Sequence, residues 1–371
     1  MRIAAIELTA WRNYTRARLE MSASPTILIG ENGQGKTNFA EAIVYAALGR
    51  SHRTWSDATL VKQDEAEAIV RLRAQHGSRV LDVDLAITAS GSNTIRVNGN
   101  PMKRKDLARL LPLVIFAPED MNLVRGEPES RRHFIDDVLL EVSAGSAGDL
   151  ADFERILRQR NTLLKSISHK PTESESATLD TWTASLVDVA ARIIVARRRI
   201  VAELAPRFSA HYSAIAAGTN TASMALTESV GDGVADSAVG GALRDAFHVK
   251  RAEEIDRGST LVGPHRDDLY FELNGLGART HSSQGEAWSV ALALKLAMVD
   301  VVRAQSTVGD PVVILDDVFS ELDEGRRTRL AAHLTGIEHL IITAADEATI
   351  PVDMVGEKHR VKGGLIDGES S

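Results

Sequence analysis

The 371-residue chain has no cysteine, which removes disulfides, zinc–thiolate sites and cysteine nucleophiles from consideration and fits a reducing compartment. Aromatic residues make up only 4% against 44% hydrophobic residues in all, so the core must be packed mainly from aliphatic side chains. No stretch reaches the roughly 18 apolar residues that a bilayer span needs. Charges interrupt the opening residues MRIAAIELTAWRNY, so no signal peptide is expected and the expected location is cytoplasmic, away from membrane. Basic charge is the scarcer sign, with a net charge of −8. Taken alone this argues mildly against nucleic acid as a partner, although local arginine clusters still neutralise phosphates.

What is present alternates between two patterns. The first third reads as strands around one helix. Strands are expected at 3–8, 16–21, 26–29, 68–72, 80–87, 93–97 and 113–116, and a helix at 38–48. Asn98-Gly99 is a hairpin signal. The middle is helical. Pro128 suits a first helical turn, and 150–166 and 179–205 read as two long helices. In the second, Trp182, Leu186, Val189, Ile193, Ala196 and Ile200 alternate spacings of four and three, as at the seam of a helix pair. The polar stretch SHKPTESESAT between them reads as a turn, and 217–241 as a loop with one weak strand. From 269 the α/β pattern returns, with strands at 269–273, 312–315 and 340–343 and helices at 285–304 and 324–334.

The sharpest motif is Gly30-Glu31-Asn32-Gly33-Gln34-Gly35-Lys36-Thr37, followed by Asn38, between a predicted strand and a predicted helix. That context makes it a phosphate-binding loop. Its glycines let backbone N–H groups converge on phosphate oxygens, and the helix N-terminus adds a favourable dipole. Lys36 is placed to bridge β- and γ-phosphates, and the Thr37 hydroxyl to bind Mg²⁺. Far downstream, an apolar strand ends in Asp316-Asp317. Asp316 is the candidate Mg²⁺ ligand, and Asp317 the candidate for orienting or deprotonating the attacking water. The 280 residues between Lys36 and Asp316 imply a large insertion within one nucleotide fold.

Ser282-Ser283-Gln284-Gly285-Glu286 opens a helix ahead of the acidic strand. This resembles the signature loop of ATP-binding-cassette (ABC) ATPases, with Ser283 and Gly285 in the matching positions; it also reads as an N-cap. In that superfamily the loop meets the γ-phosphate of ATP bound to a second subunit. Ser320-Glu321-Leu322-Asp323 resembles its D-loop. The histidine that transporter members carry after the next strand is lacking, and Thr343 is the candidate replacement.

Several phrases then coincide in order: Trp11-Arg12-Asn13-Tyr14, the phosphate loop, Phe116-Ala117-Pro118-Glu119-Asp120, Gln159-Arg160-Asn161, Gly263-Pro264-His265-Arg266-Asp267-Asp268, and the run from Leu315 to Asp323. From about residue 3 to 345 the chain resembles the RecF family of DNA-repair ATPases. Two departures stand out: Glu286-Ala287-Trp288 follows the signature glycine where the family has Q-Q-R, and the tail beyond Pro351 matches loosely.

The resemblance implies an α/β fold, an ABC-type P-loop ATPase head (1–124 and 251–371) with a β-rich lobe, and an inserted helical lobe (125–250) with a short antiparallel helix pair. It implies ATP and Mg²⁺ as cofactors and Arg12 and Asn13 beside the nucleotide base. It further implies an ATP-dependent homodimer with slow, DNA-stimulated hydrolysis, which binds single-stranded and gapped duplex DNA and works with RecR and RecO toward RecA loading. Lys103-Arg104-Lys105, Arg131-Arg132 and Arg197-Arg198-Arg199 are candidate phosphate contacts or solvated faces; the His265–Asp268 cluster is catalytic or a structural network. A transporter ATPase would have a shorter loop-to-acid spacing and the missing histidine. A small-molecule kinase would lack the signature and D-loops. An ATP-binding scaffold with little turnover is the remaining alternative.

Overall fold

The computed structural model describes residues 1–143, 145–167, 171–216, 220–231 and 233–367. Part of the predicted polar turn (168–170) and part of the predicted loop (217–219 and 232) lie outside that set, as does the Lys105 side chain. The chain begins with β1 (Arg2–Trp11), β2 (Tyr14–Glu20), β3 (Thr26–Ile29) and α1 (Lys36–Leu48). Strands β4 (Glu67–His76), β5 (Arg79–Thr88), β6 (Thr94–Val97), β7 (Asn100–Pro101) and β8 (Leu113–Phe116) follow. Next come α2 (Met121–Arg125), α3 (Pro128–Val142), α4 (Ser146–Ser166), α5 (Glu173–Ala216), β9 (Ala222–Thr227) and α6 (Val239–Arg257). Then follow β10 (Asp268–Leu273), β11 (Leu276–Gly277), α7 (Ala278–His281), α8 (Gln284–Gln305), β12 (Val312–Asp316), α9 (Glu324–Leu334), β13 (Leu340–Ala344), β14 (Glu357–Lys362) and β15 (Leu365–Ile366).

Two compact units result, one of Met1–Met121, Ala210–Asn220 and Ser283–Ser371, the other of Asn122–Ser209 and Thr221–Ser282. The first contains two six-stranded sheets. One is antiparallel, in the order β2-β1-β4-β5-β6-β7. Its strands bury alternate residues, as in Ala68, Val70, Leu72 and Ala74, the pattern of a sheet with one face on the core. At the β6–β7 turn Asn98 and Gly99 both have positive φ (49° and 78°), the geometry that made Asn-Gly informative. The other sheet has the order β15-β14-β3-β13-β12-β8, and β14, β3, β13, β12 and β8 run parallel. The runs TILI, VVILD, LIITA and LVIF are buried throughout, as parallel strands covered on both faces must be. Helix α1 touches strands of both sheets, and its residues Phe39 to Ala47 are all buried, which explains why its apolar residues are not confined to one stripe; Glu41 is the charged exception among them.

In the second unit the predicted helix pair is a three-helix cluster. Phe153 and Ile156 of α4, Leu186 to Ile194 of α5, and Val239, Leu243 and Phe247 of α6 form one core. The predicted seam on α5 is partly right: Leu186, Val189, Ile193 and Ile200 are buried, but so are Val187, Ala190 and Ile194 on an adjoining face. The third helix starts at Val239, inside the stretch expected to be loop. Helix α5 is also longer than expected, 44 residues with Pro206 inside it. The Gln159-Arg160-Asn161 phrase has a structural use. Arg160, 1% exposed, donates to Glu254 Oε2 at 2.6 Å, Thr260 Oγ1 at 2.8 Å and Thr183 Oγ1 at 3.0 Å, with its guanidinium 4.7 Å from the Phe247 ring centre. Asn161 Oδ1 accepts from the Thr260 amide at 2.8 Å. No helix among the described residues is long and apolar enough to cross a membrane.

Candidate phosphate and metal site

Strand order builds the site. In the parallel sheet β13 lies between β3 and β12, so the loop after β3 and the acids that end β12 flank the last residues of β13. Thr37 Oγ1 donates to Asp316 Oδ1 at 3.1 Å, closing the 279-residue gap between the two halves of the motif. Lys36 Nζ donates to the loop carbonyls of Gly30 (2.6 Å) and Glu31 (3.0 Å). Burial lowers the pKa of the Lys36 ammonium, and the charges of Asp317 and Asp316 oppose that. Asp316, 1% exposed, has its pKa raised by burial, while hydrogen bonds from Thr343 and Thr37 act in the opposite sense. Lys36, Thr37, Asp316 and Asp317 are thus brought to one place. Asp317 Oδ1 is buried with no hydrogen-bond partner among the described residues, an acceptor left over for chemistry.

The loop conformation is held from two sides. Gly35 has φ of 119°, and a Cβ there would lie 2.6 Å from Asn13 Nδ2, so only glycine fits. Asn13 donates to Gln34 O at 3.0 Å and accepts from Asn38 Nδ2 at 2.8 Å, while Tyr14 Oη donates to Gly35 O at 3.0 Å. Asn13, expected beside the base, is therefore a support under the loop. From the other side the β14–β15 turn donates Gly363 N to Gln34 Oε1 (2.7 Å) and Gly364 N to Gln34 O (3.1 Å). A Cβ on Gly30 would come within 2.2 Å of Val361 O. This tail, read as loosely matched, is an added parallel strand against β3. Its sequence signal was the Lys362-Gly363-Gly364 turn. Glu31, Asn32 and Gly33 are exposed at the loop tip.

Arg12, for which a place beside the base was expected, makes a two-pronged pair with Glu41 on α1, Nε to Oε2 at 2.8 Å and Nη2 to Oε1 at 2.7 Å. Thr343, the candidate γ-phosphate sensor, has its hydroxyl engaged by the two acids. It donates to Asp316 Oδ1 at 2.6 Å and accepts from Asp317 N at 3.0 Å.

Ser283 caps α8 in a reciprocal box. Glu286 N donates to Ser283 Oγ at 3.3 Å, and Ser283 N donates to Glu286 Oε2 at 2.9 Å. Gly285 lies against the Arg326 guanidinium, 2.8 Å from where its Cβ would be. Arg326 also bonds Ser289 Oγ (3.1 Å) and pairs with Asp323, so the signature and D-loop helices share one contact. The hydrogen bonds of Ser283 run to Glu286, and none of those described joins it to Gly30–Asn38 of the same chain.

Thr37 and Asp316 fit a magnesium ion. Two oxygens 3.1 Å apart match neighbouring corners of an octahedron with bonds of about 2.1 Å, and Mg²⁺ commonly takes one or two protein oxygens with phosphate and water for the rest. No cluster of three or more acidic or histidine ligands exists among the described residues, so the phosphates would have to supply part of the shell.

Most basic residues weighed as DNA contacts are held internally. Arg131 forks onto Asp268 (2.7 and 2.8 Å), Arg132 donates to Asp267 O, Arg197 pairs with Asp136, Arg198 with Glu228, and Arg104 bonds Tyr45 Oη and pairs with Asp57. Lys103 and Arg199 are exposed. The His265–Asp268 cluster belongs to the same network in the second unit, and its structural reading is the one the contacts support.

A phosphate loop after β3, an acidic strand two places along a parallel sheet, and a capped signature helix define an ABC-type P-loop ATPase head. The RecF/RecN/SMC N terminal domain family matches residues 2–356. The DNA replication and repair protein RecF of Leifsonia xyli subsp. xyli is 42% identical over 381 residues, 99% of each chain. A solved structure of the recombination mediator RecF with ATP, of the RecFOR pathway, has a TM-score of 0.90 at 28% identity, covering 100% of this chain and 98% of that one. The Smc head domain of Pyrococcus furiosus bound to the C-terminal domain of ScpA shares the fold alone, with a TM-score of 0.57 at 16% identity over 98% and 95%. The chain belongs to the RecF branch of the RecF/RecN/SMC family.

Proposed function

We propose that this chain is an ATP-dependent DNA-binding protein of recombinational repair and replication restart. The observation that carries the reading is the Thr37–Asp316 contact, together with Lys36 under the charges of Asp316 and Asp317 and an Asp317 oxygen without a partner among the described residues. Gly30–Asn38 cradle the triphosphate, with Arg12 at the border of the pocket. Thr37 and Asp316 would hold Mg²⁺, which would supply neutralisation of phosphate charge. Lys36 exchanges its loop carbonyls for phosphate oxygens. Asp317 orients the attacking water and takes its proton.

Ser283 and Gly285, at the start of α8, complete the site of a second copy, so ATP joins two chains and hydrolysis parts them. The shorter aspartate at 317, where transporter relatives have glutamate, holds its carboxylate farther from that water and keeps turnover slow. In functional terms 1–124 and 251–371 act as the head and 125–250 as the helical lobe; residues 122–124, 210–220 and 251–282 are where this partition departs from the compact units. The dimer binds single-stranded and gapped duplex DNA through phosphates, and acts with RecR and RecO toward RecA loading in the cytoplasm. A nearly inactive ATP-binding scaffold that recruits repair proteins is the second reading; the internally paired arginines favour it to the extent that they leave few cations for DNA.

ATP turnover of wild type and Lys36→Ala, with and without gapped DNA, separates the two. The main reading expects slow wild-type turnover that DNA raises and Lys36→Ala abolishes. Equal rates in both proteins with and without DNA would leave the scaffold.

A further inference from the structure

We infer that Thr343 is the positioning residue of this ATPase site: one hydroxyl fixes the metal-binding carboxylate and the backbone of the residue proposed to activate water. The inference rests on the roles proposed above for Asp316 and Asp317.

Thr343 is 1% exposed and stands opposite Asp316 in the β12–β13 register. The Asp317 amide can only donate, so at 3.0 Å it fixes the Thr343 hydroxyl oxygen as its acceptor. The single hydroxyl proton is then directed to Asp316 Oδ1, 2.6 Å away. That oxygen also receives the Thr37 hydroxyl at 3.1 Å. A continuous relay therefore runs from the Asp317 amide through Thr343 to Asp316 and back to the phosphate loop.

The second reason is conformational. Asp317 has φ of 53°, a left-handed conformation that non-glycine residues rarely adopt. Its N–H is held by both the Thr343 carbonyl (3.2 Å) and the Thr343 hydroxyl (3.0 Å). This turn carries the side chain whose Oδ1 is left without a partner among the described residues. Removing the hydroxyl would loosen the turn at Asp317 and leave Asp316 Oδ1 held by the longer Thr37 hydrogen bond alone, with no change in the atoms expected to touch nucleotide. Groups that orient metal ligands in this way affect metal affinity and activity rather than nucleotide recognition.

The test compares wild type, Thr343→Val and Thr343→Ser by three measurements: Mn²⁺ titration of the ADP complex followed by electron paramagnetic resonance, steady-state ATP hydrolysis, and thermal melting. Thr343→Val is expected to weaken Mn²⁺ binding and lower kcat by about tenfold or more each, with KM for ATP within about threefold, and Thr343→Ser to restore both. Thr343→Ala carries the same expectations if the valine protein melts early. Wild-type Mn²⁺ affinity in the hydroxyl-free variant, or a serine variant as impaired as valine, would overturn the inference. Absence of turnover in wild type would count against the hydrolysis reading, while the Mn²⁺ titration would still decide the role of Thr343.

Discussion

Arg12→Ala is expected to act on stability first, and the size of the effect follows from what surrounds Glu41. The Glu41 side chain is fully buried on α1. It receives two hydrogen bonds from Arg12 and one from Ser51 Oγ at 2.5 Å, and Arg53 Nη1 lies 3.6 Å away. Burial alone would raise the pKa of this carboxyl. The Arg12 and Ser51 hydrogen bonds, with the charges of Arg12 and Arg53, outweigh burial and hold it below the ordinary glutamate value. Removing one partner of a buried pair costs about 3–5 kcal/mol, because the other charge stays buried. Ser51 and Arg53 remain, so the lower end, about 3 kcal/mol, applies.

For a domain of roughly 150–250 residues this corresponds to a fall in Tm of about 6–12 °C. Glu41→Gln in the Arg12→Ala background removes the stranded charge and should recover more than half of the loss. The lowered carboxyl pKa makes the pair's contribution complete above the ordinary glutamate value, and it is lost as the pH falls through the folded-state value. The gap between wild type and Arg12→Ala should therefore narrow in acid. Calorimetry across pH, with nucleotide affinity measured alongside, is the assay. An Arg12→Ala protein that melts with wild type would refute the reasoning, whatever its nucleotide affinity.

Three further outcomes follow from the geometry. Gly35→Ala forces a Cβ to 2.6 Å from Asn13 Nδ2 at a φ of 119°, so nucleotide affinity by fluorescence titration should drop by about tenfold or more; wild-type affinity would contradict the account of the loop. Burial raises the Asp267 pKa to about 6, against the opposing Ser229 amide and Arg197. The associated stability is complete below the ordinary aspartate value and is lost as the pH rises through about 6, so Asp267→Asn should flatten the melting profile between about pH 4 and 6; parallel profiles would speak against it. Arg131→Ala and Arg197→Ala should lower Tm, while Lys103→Ala and Arg199→Ala, if these exposed residues meet DNA phosphates, should reduce the slope of log K against log salt by about one each with Tm unchanged.

Four strands of the parallel sheet, β3, β8, β12 and β13, were readable because they are short, continuous apolar runs, and the phosphate loop because its spacing is dictated by the ligand it must cradle. The capping box at Ser283 was readable for a similar reason: Ser-x-x-Glu is a local motif. Long-range contacts were not. Arg12 and Arg131 look alike on paper, and only the fold shows that Glu41 and Asp268 wait for them. Thr343 was singled out in the sequence only as a stand-in for a missing histidine, because its contacts come from the strand order that seats β13 between β3 and β12. Helix α6 was hidden by the Gly240-Gly241 pair near its start. The β14 strand was hidden by its mixed charges, Glu357, Lys358, His359 and Arg360, which suit a strand largely exposed to solvent.

Nucleotide bound at Thr37 is proposed to be covered by the Ser283 loop of another copy. Sedimentation velocity of the full chain with ATP and Mg²⁺, with ADP, and without nucleotide tests it directly, with Ser283→Arg as the control. The account expects a dimer in ATP alone and a monomer for Ser283→Arg throughout. One sedimentation coefficient under all three conditions, or a Ser283→Arg protein that still pairs in ATP, would contradict it.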